Sequence, residues 1–210
     1  MADRITRRLF AGQSTVILEV AQEDLPVPAE LVPHFVGAID GSTITVSQEA
    51  SGEYLFTVTH RWLREPMLRV LWWDHDGAMR YLMNEQFFLR SAKQRKGYGI
   101  RSVALELYTA QACGVASVSC EAAGGPGREM VGYYTWPLFG FDAELTAADI
   151  AALPADMAHC RSLNQLMLCP GGADHWRRNG HSVYVIFDLA PDSGCWDILN
   201  AYMEREGVEL

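Results

Sequence analysis

Between an apolar run and a helical repeat the chain carries Gln94-Arg95-Lys96-Gly97-Tyr98-Gly99, and this junction constrains the fold more than any other stretch. Upstream, residues 79–89 read as a strand that ends in the wholly apolar Phe87-Phe88-Leu89. Downstream, Ile100, Val103, Ala104, Leu107, Tyr108 and Gln111 recur at helical spacing, with Gly114 where a left-handed C-terminal cap belongs. Glycines at such a join let the backbone come close to a ligand, and the first turn of the helix offers unpaired N–H groups and a partial positive charge. The junction is therefore predicted to cradle an anion of pyrophosphate size. On the alternative reading it is a glycine-rich turn with Arg95 and Lys96 as an ordinary solvated pair.

Two better-known phosphate motifs do not fit. Ser102 stands where the dinucleotide fingerprint Gly-x-Gly-x-x-Gly needs its third glycine, and no Lys-Ser/Thr pair follows the glycines as in a P-loop. A second signal lies downstream, where Gly132-Tyr133-Tyr134-Thr135-Trp136-Pro137-Leu138-Phe139-Gly140-Phe141 follows a strand-like run at 115–120. The order of strand, Gln-x-x-Gly-x-Gly, helix, strand, aromatic helix and Gly-Phe over residues 79–142 resembles the GNAT-type N-acetyltransferases, which bind acetyl-coenzyme A.

The resemblance implies an α/β (α+β) fold: a mixed, mostly antiparallel central sheet flanked by helices, spanning 1–210 as a single domain. Residues 1–40 would supply N-terminal helix and strand elements. The segment 142–182, longer than the usual connection, would be an insertion near the acceptor end. The implied activity is acetyl transfer from acetyl-CoA, as cosubstrate, to a primary amine of a small molecule or protein. A backbone N–H at or beside Phe88 and Leu89 would bond the acetyl carbonyl and stabilise the oxyanion, with 89–93 following the pantetheine. Gln94, Arg95, Lys96, Gly97, Tyr98 and Gly99 would hold the pyrophosphate.

An ammonium cannot attack, so a base or a water chain must deprotonate the acceptor, and Glu85 is the nearest carboxylate on the expected strand. Strand alternation would put Glu85 on the face of Phe87 and Leu89, away from Asn84 and Gln86. The family often protonates the leaving thiolate with a tyrosine four residues before the glycine of Gly-Phe. Here that position is Trp136, whose indole N–H is no acid near neutral pH. Tyr134 or Tyr133 could take the role, or solvent could, since a thiol of pKa near 8.5 is a tolerable leaving group. The alternative function is a coenzyme A-binding or interaction module without the chemistry; an acyl group longer than acetyl would need a wider cleft beside Leu89.

Composition narrows the partners. A net charge of −9 argues against sequence-independent nucleic-acid binding and suits a cationic acceptor. Nearly half the residues are apolar, enough for a sizeable core, yet no run is long enough to cross a bilayer. The first residues, with Asp3, Arg4, Arg7 and Arg8 among short apolar pieces, lack the apolar core of a signal peptide, so the cytoplasm is the expected compartment. A homodimer is compatible with all of this. Five cysteines, Cys113, Cys120, Cys160, Cys169 and Cys195, show no Cys-x-x-Cys spacing, and most of them read as reduced, buried small hydrophobes. Six histidines, His34, His60, His75, His159, His175 and His181, form no His-x-x-x-His pair, so no metal is expected.

The remaining chain reads as a short helix at 3–10, a strand at 14–20, a helical turn at 29–31 behind Pro28, and strands at 42–47, 53–62 and 67–73. Ser51-Gly52 and Asp74-His75-Asp76-Gly77 are turn sequences that make these strands an antiparallel meander. Later elements are helices at 146–152 and 162–167, a loop at Pro170-Gly171-Gly172, a strand at 182–189, and a terminal helix at 195–206 capped by Asp192 or Ser193.

Overall fold

The structure, a computed structural model, describes residues 2–74, 76–77 and 79–210, so His75 of the expected turn lies outside the described residues. It divides into two compact units, one formed by residues 2–118 with 203–210 and the other by 119–202. Unit 1 holds α1 (Arg4–Leu9), β1 (Thr15–Leu18), α2 (Val32–Phe35), β2 (Thr43–Gln48), β3 (Tyr54–Thr59), β4 (Met67–Trp73), β5 (Arg80–Gln86) and α3 (Tyr98–Ala112). The strand β6 (Val115–Ala122) carries the chain into unit 2, with α4 (Gly132–Leu138), α5 (Ala147–Ala152), α6 (Leu163–Leu168), α7 (Gly172–Asn179) and β7 (Val183–Asp188); α8 (Gly194–Arg205) returns it.

The seven strands form one sheet in chain order. β1 and β2 are parallel, whereas β2 to β5 are joined as an antiparallel meander, so the fold is the mixed, mostly antiparallel α/β arrangement that the sequence predicts. Alternating burial explains the meander: Ile44 and Val46 on β2 and Phe56 and Val58 on β3 are wholly buried, while the residues between them are partly exposed. β3 stops at Thr59 rather than 62, because His60 closes a turn, accepting from the amide of Trp62 on its ring and from that of Leu63 on its carbonyl. α3 ends as expected, with Gly114 left-handed at φ +76°.

Unit 2 is built around edge-on aromatic rings. Trp136 meets Phe141 at 4.9 Å, Phe141 meets Phe187 at 5.4 Å, and Phe187 meets Trp196 at 4.8 Å. Both helices begin where expected: Thr146 closes a capping box with Asp149 ahead of α5, and Ser162, ahead of α6, accepts from the Gln165 amide. The expected loop at 170–172 is a turn at Pro170 and Gly171 that leads directly into α7, a helix the sequence reading does not include. Gly171 is a left-handed N-cap at φ +78°, and Gly172 lies so close to the Leu166 carbonyl that any side chain would collide with it.

A charged pair sits inside unit 1. Arg69 Nε on β4 lies 2.9 Å from Glu106 on α3, both side chains wholly buried, and the Asn84 amide on β5 donates to the same carboxylate at 3.3 Å. Burial pushes the Glu106 carboxyl from 4.5 up to about 7, against the opposing pull of Arg69 and Asn84. A carboxyl whose folded pKa exceeds its unfolded one keeps its proton in the native state after the unfolded chain has lost it. Its contribution to stability therefore falls as pH rises from about 4.5 towards 7.

The two partners should respond unequally to removal. Glu106→Leu strands a buried guanidinium that cannot shed its charge, and is expected to cost about 3–5 kcal/mol. Arg69→Leu is expected to cost less, with a deficit that shrinks from pH 8 to pH 5 (roughly, from the raised carboxyl pKa), because Glu106 can protonate. Urea unfolding of both variants at the two pH values measures this; equal, pH-independent deficits would contradict it.

Candidate functional site

The Gln-x-x-Gly-x-Gly segment lies between a 3-10 turn at Ser91–Lys93 and the N-terminus of α3. Its backbone is unusual in two places. Arg95 is left-handed at φ +56°, the one such non-glycine among the described residues, and Gly97 at φ +71° is the N-cap of α3. Left-handed residues set one apart, as here on either side of Lys96, suit the alternation of backbone hand that turns neighbouring amides to one side. No acceptor for the amides of residues 95–100 occurs among the described residues, and the segment is exposed up to Lys96 and partly exposed from Gly97 to Gly99. Arg90, Lys93, Arg95 and Lys96 give this stretch a local positive charge on an otherwise acidic chain. The result is a run of free donors on the positive end of a 15-residue helix.

Other side chains fix the loop from behind. Gln94 reaches back 2.9 Å to the Leu89 carbonyl. Arg101, one turn into α3, donates to the Gly97 carbonyl at 2.8 Å and forms an ion pair with Asp3 at 2.6 Å. Asp3 in turn accepts from the amides of Ile5, Thr6 and Glu209. Burial alone would raise the Asp3 carboxyl, but Arg101 and these amides outweigh it and hold the group well below the usual carboxylate range. The ring of Tyr98 stacks on Trp62 at 4.9 Å, and the Lys93 ammonium sits 4.0 Å over the opposite partner of that stack, the Trp62 ring. Tyr98 and Lys93 thus brace the loop through their side chains. Asp3, Trp62, Lys93 and Arg101 carry no local motif, and the Asp3 to Arg101 pairing spans 98 residues.

Beyond β5, residues 88–90 form an isolated antiparallel bridge with 62–64. The Arg64 amide donates to the Phe88 carbonyl and the Arg90 amide to the Trp62 carbonyl, which makes Leu63 and Leu89 a non-hydrogen-bonded pair. The Leu89 N–H therefore points away from the 62–64 segment and has no acceptor among the described residues. The Phe88 ring is covered by the Arg64 guanidinium at 5.2 Å.

The position of Glu85 corrects the alternation argument. Arg69 pairs with Asn84 and Leu68 with Gln86, so Glu85 is the extra residue of a β-bulge. The bulge resets the pleat: Phe87 packs on buried Arg69 at 5.5 Å, the side occupied by Asn84, while Glu85 is exposed. Glu85 and Phe87 therefore do not share a face. The strand ends at Gln86, short of the expected 89.

In unit 2, the Tyr133 hydroxyl is committed to the Arg177 carbonyl at 2.7 Å, and Trp136 packs edge-on against Phe139 and Phe141. Tyr134 is half-buried with the Arg177 guanidinium 5.6 Å over its ring. The same unit gathers residues that were read separately. His159 Nε2 lies 3.9 Å from Cys160 Sγ and 3.6 Å from Cys169 Sγ, and the two sulfurs are 3.4 Å apart. Burial and the neighbouring Cys169 push the Cys160 thiol up to about 11.

Comparison with protein-family models, curated proteins and solved structures returns no match for this chain. No helix among the described residues is long and apolar enough to cross a membrane.

The Asp3 clasp is separable by pH. Asp3→Asn removes a charge-assisted bond to Arg101 and is expected to cost on the order of 1.5–3 kcal/mol at pH 7. A depressed carboxylate gives stability that is present above its unfolded pKa and lost as pH falls. The gap between wild type and variant should accordingly begin to narrow below about pH 4 and close only at the depressed folded value. Urea midpoints from pH 7 down to about pH 3 read it out; a gap that does not narrow at all below the unfolded aspartate pKa of roughly 4 would refute the assignment.

Proposed function

We propose that unit 1 binds acetyl-CoA by its pyrophosphate at residues 94–99 and that the chain is an N-acetyltransferase acting on a primary amine of a small molecule or protein. The observation that carries this reading is the run of acceptor-free amides at 95–100, bent by two left-handed residues onto the N-terminus of α3. Pyrophosphate is the dianionic group such a row suits, and Arg95 and Lys96 add attraction from side chains.

On this reading the thioester carbonyl accepts from the outward Leu89 N–H, which stabilises the tetrahedral oxyanion as the amine attacks. The intermediate collapses by breaking the carbon–sulfur bond, releasing coenzyme A as thiolate, which takes a proton from solvent. Glu85, exposed on its bulge, removes the amine proton directly or through a water chain. A second reading, binding without transfer, is favoured by Trp136, a half-buried ring packed edge-on against Phe139 and Phe141 where the family commonly places a tyrosine acid.

Gly99→Glu is the test of the loop. Gly97 is a poor choice, since it is left-handed and a side chain there would strike Arg101, whereas Gly99 has ordinary backbone angles and open space. Calorimetry should show acetyl-CoA binding by wild type and its loss in folded Gly99→Glu; undiminished affinity would end the loop assignment. Glu85→Gln is expected to lower turnover by about 10²–10⁴-fold with affinity retained. Wild type that binds acetyl-CoA but acetylates nothing in a broad amine panel would establish the second reading.

A further inference from the structure

The cluster in unit 2 has the dimensions of a metal site. A tetrahedral Zn²⁺ with Zn–S of about 2.3 Å and Zn–N of about 2.0–2.1 Å separates two sulfurs by about 3.8 Å, and sulfur from nitrogen by about 3.6 Å. The corresponding separations here are 3.4 Å between sulfurs and 3.6 and 3.9 Å to the imidazole nitrogen, each within a few tenths of an ångström of a tetrahedral edge. We propose that His159, Cys160 and Cys169 bind a Zn²⁺ ion, leaving a fourth position for water or an added ligand.

The backbone prepares both thiol donors. Cys160 donates its amide to the Met157 carbonyl at the end of a 3-10 turn (Ala155–Met157), and its carbonyl is held by Arg161 at 2.8 Å. Cys169 is the C-cap of α6, with its amide on the Leu166 carbonyl. His159 is exposed, Cys169 half-buried and Cys160 buried, so solvent reaches the site from the histidine side while one thiol is shielded. A disulfide between the two cysteines is the competing use of the sulfurs. It requires no third donor, yet an imidazole nitrogen lies 3.6 and 3.9 Å from sulfurs that are themselves 3.4 Å apart. Two thiolates and a neutral imidazole match the softness of zinc and give a neutral complex, with both thiol protons passing to solvent on binding. The ion would tie the 3-10 turn to the end of α6, closing the His159 to Cys169 segment. This proposal does not depend on acetyl-CoA binding.

The test uses the full chain, reduced and freed of metal. Wild type should take up one Zn²⁺, and Co²⁺ in its place should show thiolate-to-metal charge transfer and intense tetrahedral ligand-field bands. Cys169→Ser and His159→Ala should each weaken zinc, in competition with a chromophoric chelator, by at least about 100-fold, beyond what loss of an outer partner costs. Cys113→Ser, outside the cluster, should not. Zinc should raise the Tm of wild type and leave that of the two ligand variants unchanged, which separates ligation from a folding defect. Failure of reduced wild type to take up zinc, a cobalt spectrum without charge transfer, or affinity unchanged in both ligand variants would each overturn the proposal. A stable Cys160–Cys169 disulfide that, once reduced, leaves protein indifferent to zinc would do the same.

Discussion

The buried Arg69 guanidinium is the constraint on which unit 1 depends. Placing a permanent charge beyond the reach of water is unfavourable unless every donor finds a partner, so the elements around it have little freedom. Its Nε faces Glu106 on α3, and Asn84 on β5 completes that carboxylate. Its Nη1 reaches the carbonyls of Leu68 and Gln86, the residues flanking the register shift. A bulge interrupts ladder bonding at this point, and Arg69 supplies a donor there. One side chain therefore fixes both the height of α3 against the sheet and the place where β5 leaves its regular pleat.

Two features of the candidate site inherit their positions from that arrangement. Once α3 is pinned through Glu106, about two turns in from its start at Tyr98, its N-terminus can move little, and the Asp3 to Arg101 clasp holds the Gly97 carbonyl from the other side. The left-handed Arg95 costs about 1–2 kcal/mol. Gln94 on Leu89 and the Trp62 to Tyr98 stack bracket the strained residue on both sides. Strain held in this way, with amides left without acceptors, is what the proposed pyrophosphate would complete. The bulge meanwhile turns Glu85 outward while Phe87 returns to the core side, so carboxylate and apolar floor separate.

Much of the sheet was legible because period-two burial is written directly into residues 43–48, 54–59 and 67–73, and β4 coincides with its expected bounds. The helix starts at Thr146 and Ser162 were legible for the same local reason, since a side-chain oxygen and an amide three residues on make the cap there. The bulge was not, because Asn84-Glu85-Gln86 contains no glycine and ordinary alternation fits it equally well. α7 was hidden behind Pro170-Gly171-Gly172, whose glycines serve a left-handed cap and a close helix contact instead of a loop. Of the candidate site, the loop could be read from its glycines, whereas Asp3, Arg101 and Trp62 could not, being joined to it only through tertiary contacts. His159-Cys160 and Cys169 escaped a search for Cys-x-x-Cys because their closeness comes from a turn meeting the end of a helix.

The departure at Trp136 bears unequally on the two halves of the proposed chemistry. A thiolate whose conjugate acid has a pKa near 8.5 can leave without a positioned acid, so the absence of a tyrosine there affects the easier half of the reaction. The harder half is charge on the carbonyl oxygen, where loss of a single donor commonly costs about 2.7–4 kcal/mol. That donor is a backbone N–H, which no side-chain substitution short of proline removes. Leu89 keeps it, turned outward by the non-hydrogen-bonded pairing with Leu63. What weighs on transfer in this chain is therefore less the indole at 136 than whether an amine can be held and deprotonated beside Leu89, and Glu85 is exposed enough to exchange its proton with solvent between turnovers.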